Sequence, residues 1–528
     1  MLPAARTATF AAHGLAYPPT PPPTAARTHR RRGAASRMRI LHFTHSPPHY
    51  IPPPVLSPDQ VVAGPATPDA EADGVARGIR TAAGAFDAAS VAERLGGRWR
   101  PDLVVVRADS FAGHRPRNLA CFACPVVLLV GDTHHAPPAA EPPEDPMMLD
   151  YARSEPFEAV CLDYTRQHAH FFVEAGLPRV CWLPGINVER MPFRACDDPF
   201  ELRFSMAGQI GPRHPRRSTL VDSLRKAGLP LSRGEAPRQE TRRIHATSQL
   251  NLNCSLNGDL NLRVLEVMQV GGALLTDRLS PEAGLGLLFE EGTHHLAYGD
   301  LDEAASMARD LLADEPRCRA MGAAGRAHYE ATLSPEAMAR QLLSIARGDP
   351  VPSLLDARQD ARTRLVDGPE GPERLAQRVD AYWTIQAAHL RNERLTLLAT
   401  PSVDGRMLAD LVDLPRLRLL RHVDASWPGA APAMARTDAQ LGKAGLLDRV
   451  LRRDVPAGPP PDLLLAAAED ARSGAAGALL DRYGSTQVVF VGGVGAADAG
   501  RLRIEPVPGA PGLWHRAPRR SVRTFKRR

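Results

Sequence analysis

The residues best suited to holding a phosphate ester lie in one segment, 248–277, which reads SQLNLNCSLNGDLNLRVLEVMQVGGALLTD. Its Asn257-Gly258-Asp259 turn delivers the chain into a helix expected over 260–270. The first-turn N–H groups of such a helix have no intrahelical acceptor, and its dipole favours a nearby anion such as a diphosphate. Asp259 is placed to cap the helix, and Gly271-Gly272 to end it. Arg263 and Glu266 are three residues apart and share a helix face. That spacing reads two ways. It is a surface ion pair worth about half a kcal/mol, or a guanidinium fork for a phosphate beside a carboxylate that accepts both hydroxyls of a ribose.

A second group, Gly131-Asp132-Thr133-His134-His135, directly follows an apolar run at 126–130. Asp132 can orient one imidazole, and either His134 or His135 can take a proton from a bound hydroxyl. The plainer reading is a loop whose histidines cap backbone groups. Tyr164-Thr165-Arg166-Gln167-His168, after the run at 159–162, faces the same way. Gly208-Gln209-Ile210-Gly211 with Arg213, Arg216 and Arg217 is, taken alone, a simple turn. His42, His45 and His49 have no carboxylate or cysteine close in sequence and read as strand and loop residues. Cys121 and Cys124 have no second pair at zinc spacing, and they precede a strand rather than a strand-to-helix turn, so they read as buried thiols.

These groups need a scaffold, and the chain alternates apolar runs with helical stretches from Met38 onward, the pattern of parallel α/β units. Strands are expected at 39–44, 103–107, 126–130, 159–162 and 180–183, with helical segments near 70–95 and at 165–175. A second set has strands at 202–208, 249–253, 273–276 and 295–298 and helices at 217–227, 260–270, 301–313 and 316–330. Helical, charged sequence at 353–393 leads to a third set with strands at 395–399, 417–422, 463–467 and 488–491 and a hairpin at 502–516. Ligands of open α/β sheets bind beyond the carboxyl ends of the strands. Two adjacent Rossmann-like units therefore set two such edges across a cleft.

The order and spacing of several motifs resemble the nucleotide-sugar-binding half of GT-B glycosyltransferases, most closely the spore-maturation CgeB-like group. They are Asn251-x-Asn253, Gly258-Asp-Leu-Asn-Leu-Arg263-x-Leu-Glu266, Gly271-Gly272, Leu274-Leu-Thr276-Asp277, Leu288-Phe289-x-x-Gly292, Tyr298 and Gly322-x-x-Gly325-Arg326. Upstream, Leu183-Pro-Gly-Ile-Asn187 with Phe193 is similar to the crossing between the two GT-B domains, and Ala207-Gly208-Gln-Ile-Gly211-x-Arg213 to the Gly-rich loop of the donor domain. The resemblance spans about residues 38–347. It implies a hexosyltransferase-class enzyme moving a sugar from a nucleotide-sugar donor to a hydroxyl acceptor on a glycan, lipid or protein. Gly208, Gly211, Arg213, Arg217, Asn257, Asp259, Arg263, Glu266, Thr276 and Asp277 would lie on the donor side, and Asp132, His134 and His135 would act at the acceptor. No metal is expected, since the helix dipole, backbone amides and cations stabilise the leaving diphosphate. One departure concerns the two glutamates seven residues apart in many retaining members: Glu266 fits the second, but position 258 is glycine, which leaves retention or inversion open.

The expected fold class is α/β, with two Rossmann-like domains facing across a cleft (GT-B) and a smaller C-terminal α/β domain. The division is a disordered extension at 1–37, an acceptor-side domain at 38–195, a nucleotide-sugar-binding domain at 196–347, a helical linker at 348–393, the C-terminal domain at 394–515 and a basic tail at 516–528. The C-terminal strands weakly resemble a degenerate class I methyltransferase, with Asp424 ending the second strand and Asp454 following. Thr400-Pro-Ser-Val-Asp-Gly405 stands where the Gly-x-Gly loop belongs. No cofactor is therefore expected, S-adenosylmethionine included, and the region reads as a structural or partner-binding module.

Composition narrows the partners. The 528 residues carry 65 Lys+Arg and 59 Asp+Glu, a net +6. Residues 1–37 hold six arginines and no acid, and 516–528 hold seven cations and no acid. The stretch between has 52 cations against 59 acids, a net −7, which argues against a nucleic-acid partner. The C-terminal tail alone suits an anionic surface. The longest apolar run, 118–131, is too short to span a bilayer, and 1–37 has no apolar signal region, so the expected setting is cytoplasmic. A nucleotide-sugar epimerase of the same architecture and a non-catalytic scaffold are the alternative readings, with methyl transfer by the last region a further one.

Overall fold

The computed structural model describes residues 38–516 except 47–50, 52, 73, 98, 111–112, 134–145, 192–194, 196, 212–213, 257, 366–370, 391–394, 413, 415–416, 423–429, 454–459, 484–485 and 509–511. His49, His134, His135, Phe193, Arg213, Asn257, Asp424 and Asp454 fall outside the described residues, as do the segments 1–37 and 517–528.

Short apolar runs separated by polar loops become the central strands, and short polar segments add strands at the margins. In chain order the first ten are β1 (Ile40–Phe43), β2 (Gln60–Gly64), β3 (Ala70–Ala72), β4 (Val75–Arg80), β5 (Ala85–Asp87), β6 (Leu103–Ala108), β7 (Arg115–Arg117), β8 (Val126–Val130), β9 (Ala159–Leu162) and β10 (Val180–Trp182). Eight of them form one sheet in the order β10-β9-β8-β6-β1-β2-β4-β3, and β5 pairs with β7. The sheet is parallel except where β3 runs against β4. Unbroken apolar strands such as VVLLV in β8 suit a parallel sheet covered on both faces. The chain reverses its order across the sheet between β1 and β6, so the loops beyond these strands open a crevice.

The helix expected near 70–95 is mostly absent. That segment forms β3, β4 and β5, and only Ala89–Leu95 is helical. Its alanines and acids favour a helix, but Gly74, Gly78 and Gly84 would each cost about 1 kcal/mol in one, and β4 gains a ladder on β2.

The second sheet contains β11 (Leu202–Ala207), β12 (Leu231–Gly234), β13 (Ser248–Leu252), β14 (Leu274–Asp277) and β15 (Leu296–Tyr298), all parallel, in the order β12-β11-β13-β14-β15. Its switch point lies between β11 and β13. The helix Pro335–Ala346 packs against the first sheet, where Met338, Leu342 and Ile345 share a core with Leu103, Val105 and Val127. Leu265, from the helix Leu262–Val270, joins the same core, so the two sheets are held together by apolar packing.

The third sheet contains β16 (Leu395–Ala399), β17 (Leu417–His422), β18 (Leu451–Arg453), β19 (Leu463–Ala467), β20 (Gln487–Val491), β21 (Ile504–Pro506) and β22 (Leu513–Arg516). Their order is β18-β17-β16-β19-β20-β22-β21; β22 runs antiparallel to both neighbours and makes the expected terminal hairpin with β21. The helix Pro372–Leu390 joins this sheet to the first one: its Tyr382 and Ile385 share a continuous core with Phe171 and Phe172 below the first sheet and Leu397 of β16. Among the described residues no helix is long and apolar enough to cross a membrane.

Candidate active site

The loops beyond β1, β6, β8 and β9 and those beyond β11, β12 and β13 enclose a cavity of about 640 Å³, a size that suits a small-molecule ligand. Its two walls carry different chemistry.

The wall on the first sheet is built from residues at adjacent strand ends. His45 lies two residues past β1, Asp109 one past β6, Asp132 two past β8 and Tyr164 two past β9. Asp109 gathers them. Its Oδ2 is 2.7 Å from His45 Nε2, its Oδ1 accepts the Asp132 backbone N–H at 2.6 Å, and Arg107 Nη2 stands 3.7 Å away. Arg107 is fully buried in β6, donates to the Tyr164 hydroxyl at 3.4 Å, and has no hydrogen-bond partner at Nε or Nη1 among the described residues. Position 131 has room only for glycine, because a Cβ there would sit 2.1 Å from Asp109 Oδ1.

This packing separates the two carboxyl groups. Burial alone would raise Asp109, but the Arg107 guanidinium and His45 outweigh it and hold the group below the usual carboxylate range. Asp132 moves the other way: burial, then the nearby Asp109 and Asp259 carboxylates, push it well above that range. The two neighbouring carboxyl groups are thus pushed apart in proton affinity, an arrangement that acid–base chemistry uses. Asp163, behind them, is pushed up to about 6 by burial and accepts hydrogen bonds from the Gly185 N–H and Asn187 Nδ2 at 2.7 and 2.8 Å.

The opposite wall is cationic. Arg263 lies in the first turn of the helix Leu262–Val270, and its Nε donates to the Ala207 carbonyl at 2.7 Å and its Nη1 to Asn253 Oδ1 at 2.9 Å. Burial lowers its pKa to about 9. Gly208, with φ +128°, passes so close to this guanidinium that a Cβ would lie 2.1 Å from Arg263 Nη2. Arg217 donates from Nε to the Cys254 carbonyl at 2.9 Å and from Nη1 to the Gln209 carbonyl at 3.3 Å. The two arginines thus tie the loops after β11 and β13 together while still bordering the cavity. Glu266 stands 4.0 Å from Arg238 Nη2 and 3.9 Å from His245 Nε2, with no hydrogen bond to its carboxylate among the described residues. Burial raises its pKa.

Asp132, Gly208, Arg217, Asp259, Arg263 and Glu266 therefore border one cavity. Gly211 borders an adjoining hollow of about 450 Å³ with Gly208, Ser218 and Arg233. Asp259 is not the helix cap: Asn261 holds that position, its backbone extended and its side chain directed to Asn253 Oδ1 at 3.0 Å. Thr276 and Asp277 stand behind the wall. Thr276 accepts from Asn253 Nδ2 at 2.9 Å, and Asp277 receives the Ser255 N–H at 2.8 Å and the Ser255 hydroxyl at 2.5 Å. Arg216 turns to Asp277 at 3.4 Å rather than to the cavity. Of the 164–168 group only Tyr164 borders the cavity.

Sequence reasoning missed His45, Arg107 and Asp109. The usable signal was the rule already applied to Asp132, since all three sit at or just beyond carboxyl ends of central strands. The reading of His42 as a strand residue fits: it is fully buried in β1 with neither ring nitrogen bonded among the described residues, and burial lowers its pKa to about 3. The cysteine pair is less buried than expected, with Cys121 exposed and Cys124 half-buried.

A family profile described as glycosyl transferase-like matches residues 194–344, the stretch that supplies the cationic wall. No curated protein matches the chain. Among solved structures it is similar to a sucrose-phosphate synthase from Thermosynechococcus elongatus, at 12% identity over 59% of this chain and 99% of that one with a TM-score of 0.43. It is also similar to a glycosyltransferase from Rickettsia africae (9% identity, 59% and 98% covered, TM-score 0.39) and to Anabaena HepE in complex with UDP and glucose (14%, 58% and 98%, TM-score 0.38).

Proposed function

We propose that the chain transfers a sugar from a nucleotide-sugar donor to a hydroxyl acceptor. The observation that carries this reading is one cavity with a cationic wall facing two carboxyl groups whose proton affinities are shifted in opposite directions. The glycosyl transferase-like match over 194–344 supports it, and the motif order in 249–332 favours the CgeB-like group. In this reading the donor diphosphate lies against Arg217, Arg263 and the N–H groups that open the helix Leu262–Val270, and Glu266 accepts the ribose hydroxyls.

The acceptor hydroxyl approaches Asp132. As the acceptor oxygen bonds to the anomeric carbon, its proton passes to the ionised Asp132 carboxylate, whose raised proton affinity makes it a stronger base than an ordinary aspartate. The bond between the anomeric carbon and the diphosphate oxygen breaks, and the electron pair leaves with the diphosphate into the cationic wall. His134 and His135 follow in the sequence, outside the described residues. No metal enters this scheme, because fixed positive charge meets the leaving group. The setting we propose is cytoplasmic, and the basic C-terminal tail is proposed to touch an anionic surface.

The test is to incubate the full chain with a panel of nucleotide sugars, with and without glycerol as a probe acceptor, and to follow nucleoside diphosphate release and glycoside formation. Transfer that disappears in Glu266→Ala and Asp132→Asn is the expected result. A nucleotide sugar epimerised without acceptor, or none consumed, overturns the reading.

A further inference from the structure

The third sheet has its own switch point, between β16 and β19, where a ligand of a doubly wound fold would sit. Its own side chains fill the polar positions there. Asp470 accepts the Thr400 hydroxyl at 2.6 Å, the Ser402 hydroxyl at 2.7 Å and the Ala467 N–H at 3.0 Å, which joins the loops after β16 and β19 directly. From the adjoining helix Pro372–Leu390 one polar chain leads instead to the turn that carries Asp132.

We infer that the C-terminal region braces the acceptor wall, with Tyr382 acting through His168 as a positioning residue for the turn that carries Asp132. Tyr382, on the helix Pro372–Leu390, has its hydroxyl 2.9 Å from His168 Nε2. The other ring nitrogen of His168 is hydrogen-bonded to the hydroxyl of Thr133, the residue after Asp132. Tyr382, His168 and Thr133 are all fully buried, so water cannot substitute cheaply for a lost partner in the chain. The packing fixes the rings as well: Tyr382 meets His168 edge-on at 5.3 Å and Phe171 edge-on at 5.7 Å.

Two further ties hold the brace in register. Arg378, one turn before Tyr382, donates to Asp410 from Nε and Nη2 at 3.0 and 2.8 Å and to Glu174 from Nη1 at 2.6 Å, while His170 Nε2 lies 2.9 Å from Asp410. On the far side Arg449 meets Glu282 at 2.5 Å, in the turn after β14, whose backbone carbonyl also accepts from Arg166 at 2.8 Å. The C-terminal region therefore contacts segments that follow strands of both other sheets. The Tyr382–His168–Thr133 chain ends at the residue next to the proposed base.

This inference rests on the reading of Asp132 as that base, and its test separates the two. Tyr382→Phe keeps the ring and deletes the hydroxyl, and Thr133→Val breaks the same chain from its other end. In the full chain, amide hydrogen exchange across 131–133 is expected to speed up at least tenfold in each variant, with exchange in the helix Leu262–Val270 unchanged. With the nucleotide sugar that most stabilises the wild type, kcat is expected to fall about tenfold at unchanged donor KM. The double variant is expected to be no worse than either single one. Unchanged exchange at 131–133, or losses that multiply in the double variant, overturns the brace. Should the wild type consume no nucleotide sugar, the proposed function fails and the exchange result still decides the brace.

Discussion

The proposed proton transfer turns on a single side chain, Asp132. Its raised pKa means that the basic form appears only above the range of an ordinary aspartate. The acid limb of kcat/KM against pH is therefore expected at higher pH than a free carboxylate would give, and Asp132→Asn is expected to lower kcat by about 10²–10⁴. The stability sign follows from the same shift. The folded carboxyl holds its proton more tightly than the unfolded chain does, so its contribution is full below about pH 4 and is lost as pH rises through the raised folded value. Asp132→Asn is thus expected to raise the melting temperature at neutral pH, checked by calorimetry at two pH values. Gly208→Ala tests the other wall: the new methyl would displace the Arg263 guanidinium at a backbone angle that alanine resists. A loss of about 1–3 kcal/mol in urea unfolding, with weakened nucleotide binding, is expected. Arg263 and Glu266 were legible because helical spacing is local information. His45 and Asp109 were not, because their contact joins residues 64 apart through strand neighbours that no sequence pattern fixes.

At the scale of elements, the helix Pro372–Leu390 and the short helix Ala169–Glu174 are joined by a buried charged cluster. Burial would raise Asp410, but Arg378 and His170 outweigh it and hold the carboxyl below its ordinary value. Arg378→Met leaves Asp410 and Glu174 without their cation and is expected to cost about 3–5 kcal/mol in urea unfolding. The depressed Asp410 contributes stability above its unfolded pKa and loses it as pH falls through the folded one, so the gap between wild type and variant is expected to narrow in acid. Central strands such as β6, β8, β16 and β19 were legible because each is an apolar run that a buried sheet requires. The segment 70–95 was not. Its composition favours a helix, and the pairing of β4 with β2 overrode that propensity.

For the whole molecule, the three sheets share cores rather than standing apart. Phe171 and Phe172 pack in one cluster with Tyr382, Ile385 and Leu397. A chain ended at residue 347 would expose that apolar face. It is expected to aggregate or to bind an apolar dye; a soluble fragment with cooperative unfolding would show that the C-terminal region is dispensable to the fold. The alternation of strands and helices made the α/β class legible, and the loops beyond strand ends pointed to the cavity. The brace was not legible, since it depends on which helices of distant segments meet.

The central claim is that the cationic wall holds a nucleotide diphosphate, and calorimetric titration of the full chain with nucleoside diphosphates tests it most directly. The expected result is saturable binding by at least one of them, with about 2.7 kcal/mol of stabilisation at 100 times the dissociation constant, and loss of that binding in Arg263→Ala. Binding by none of them, or equal binding by wild type and Arg263→Ala, would contradict the account.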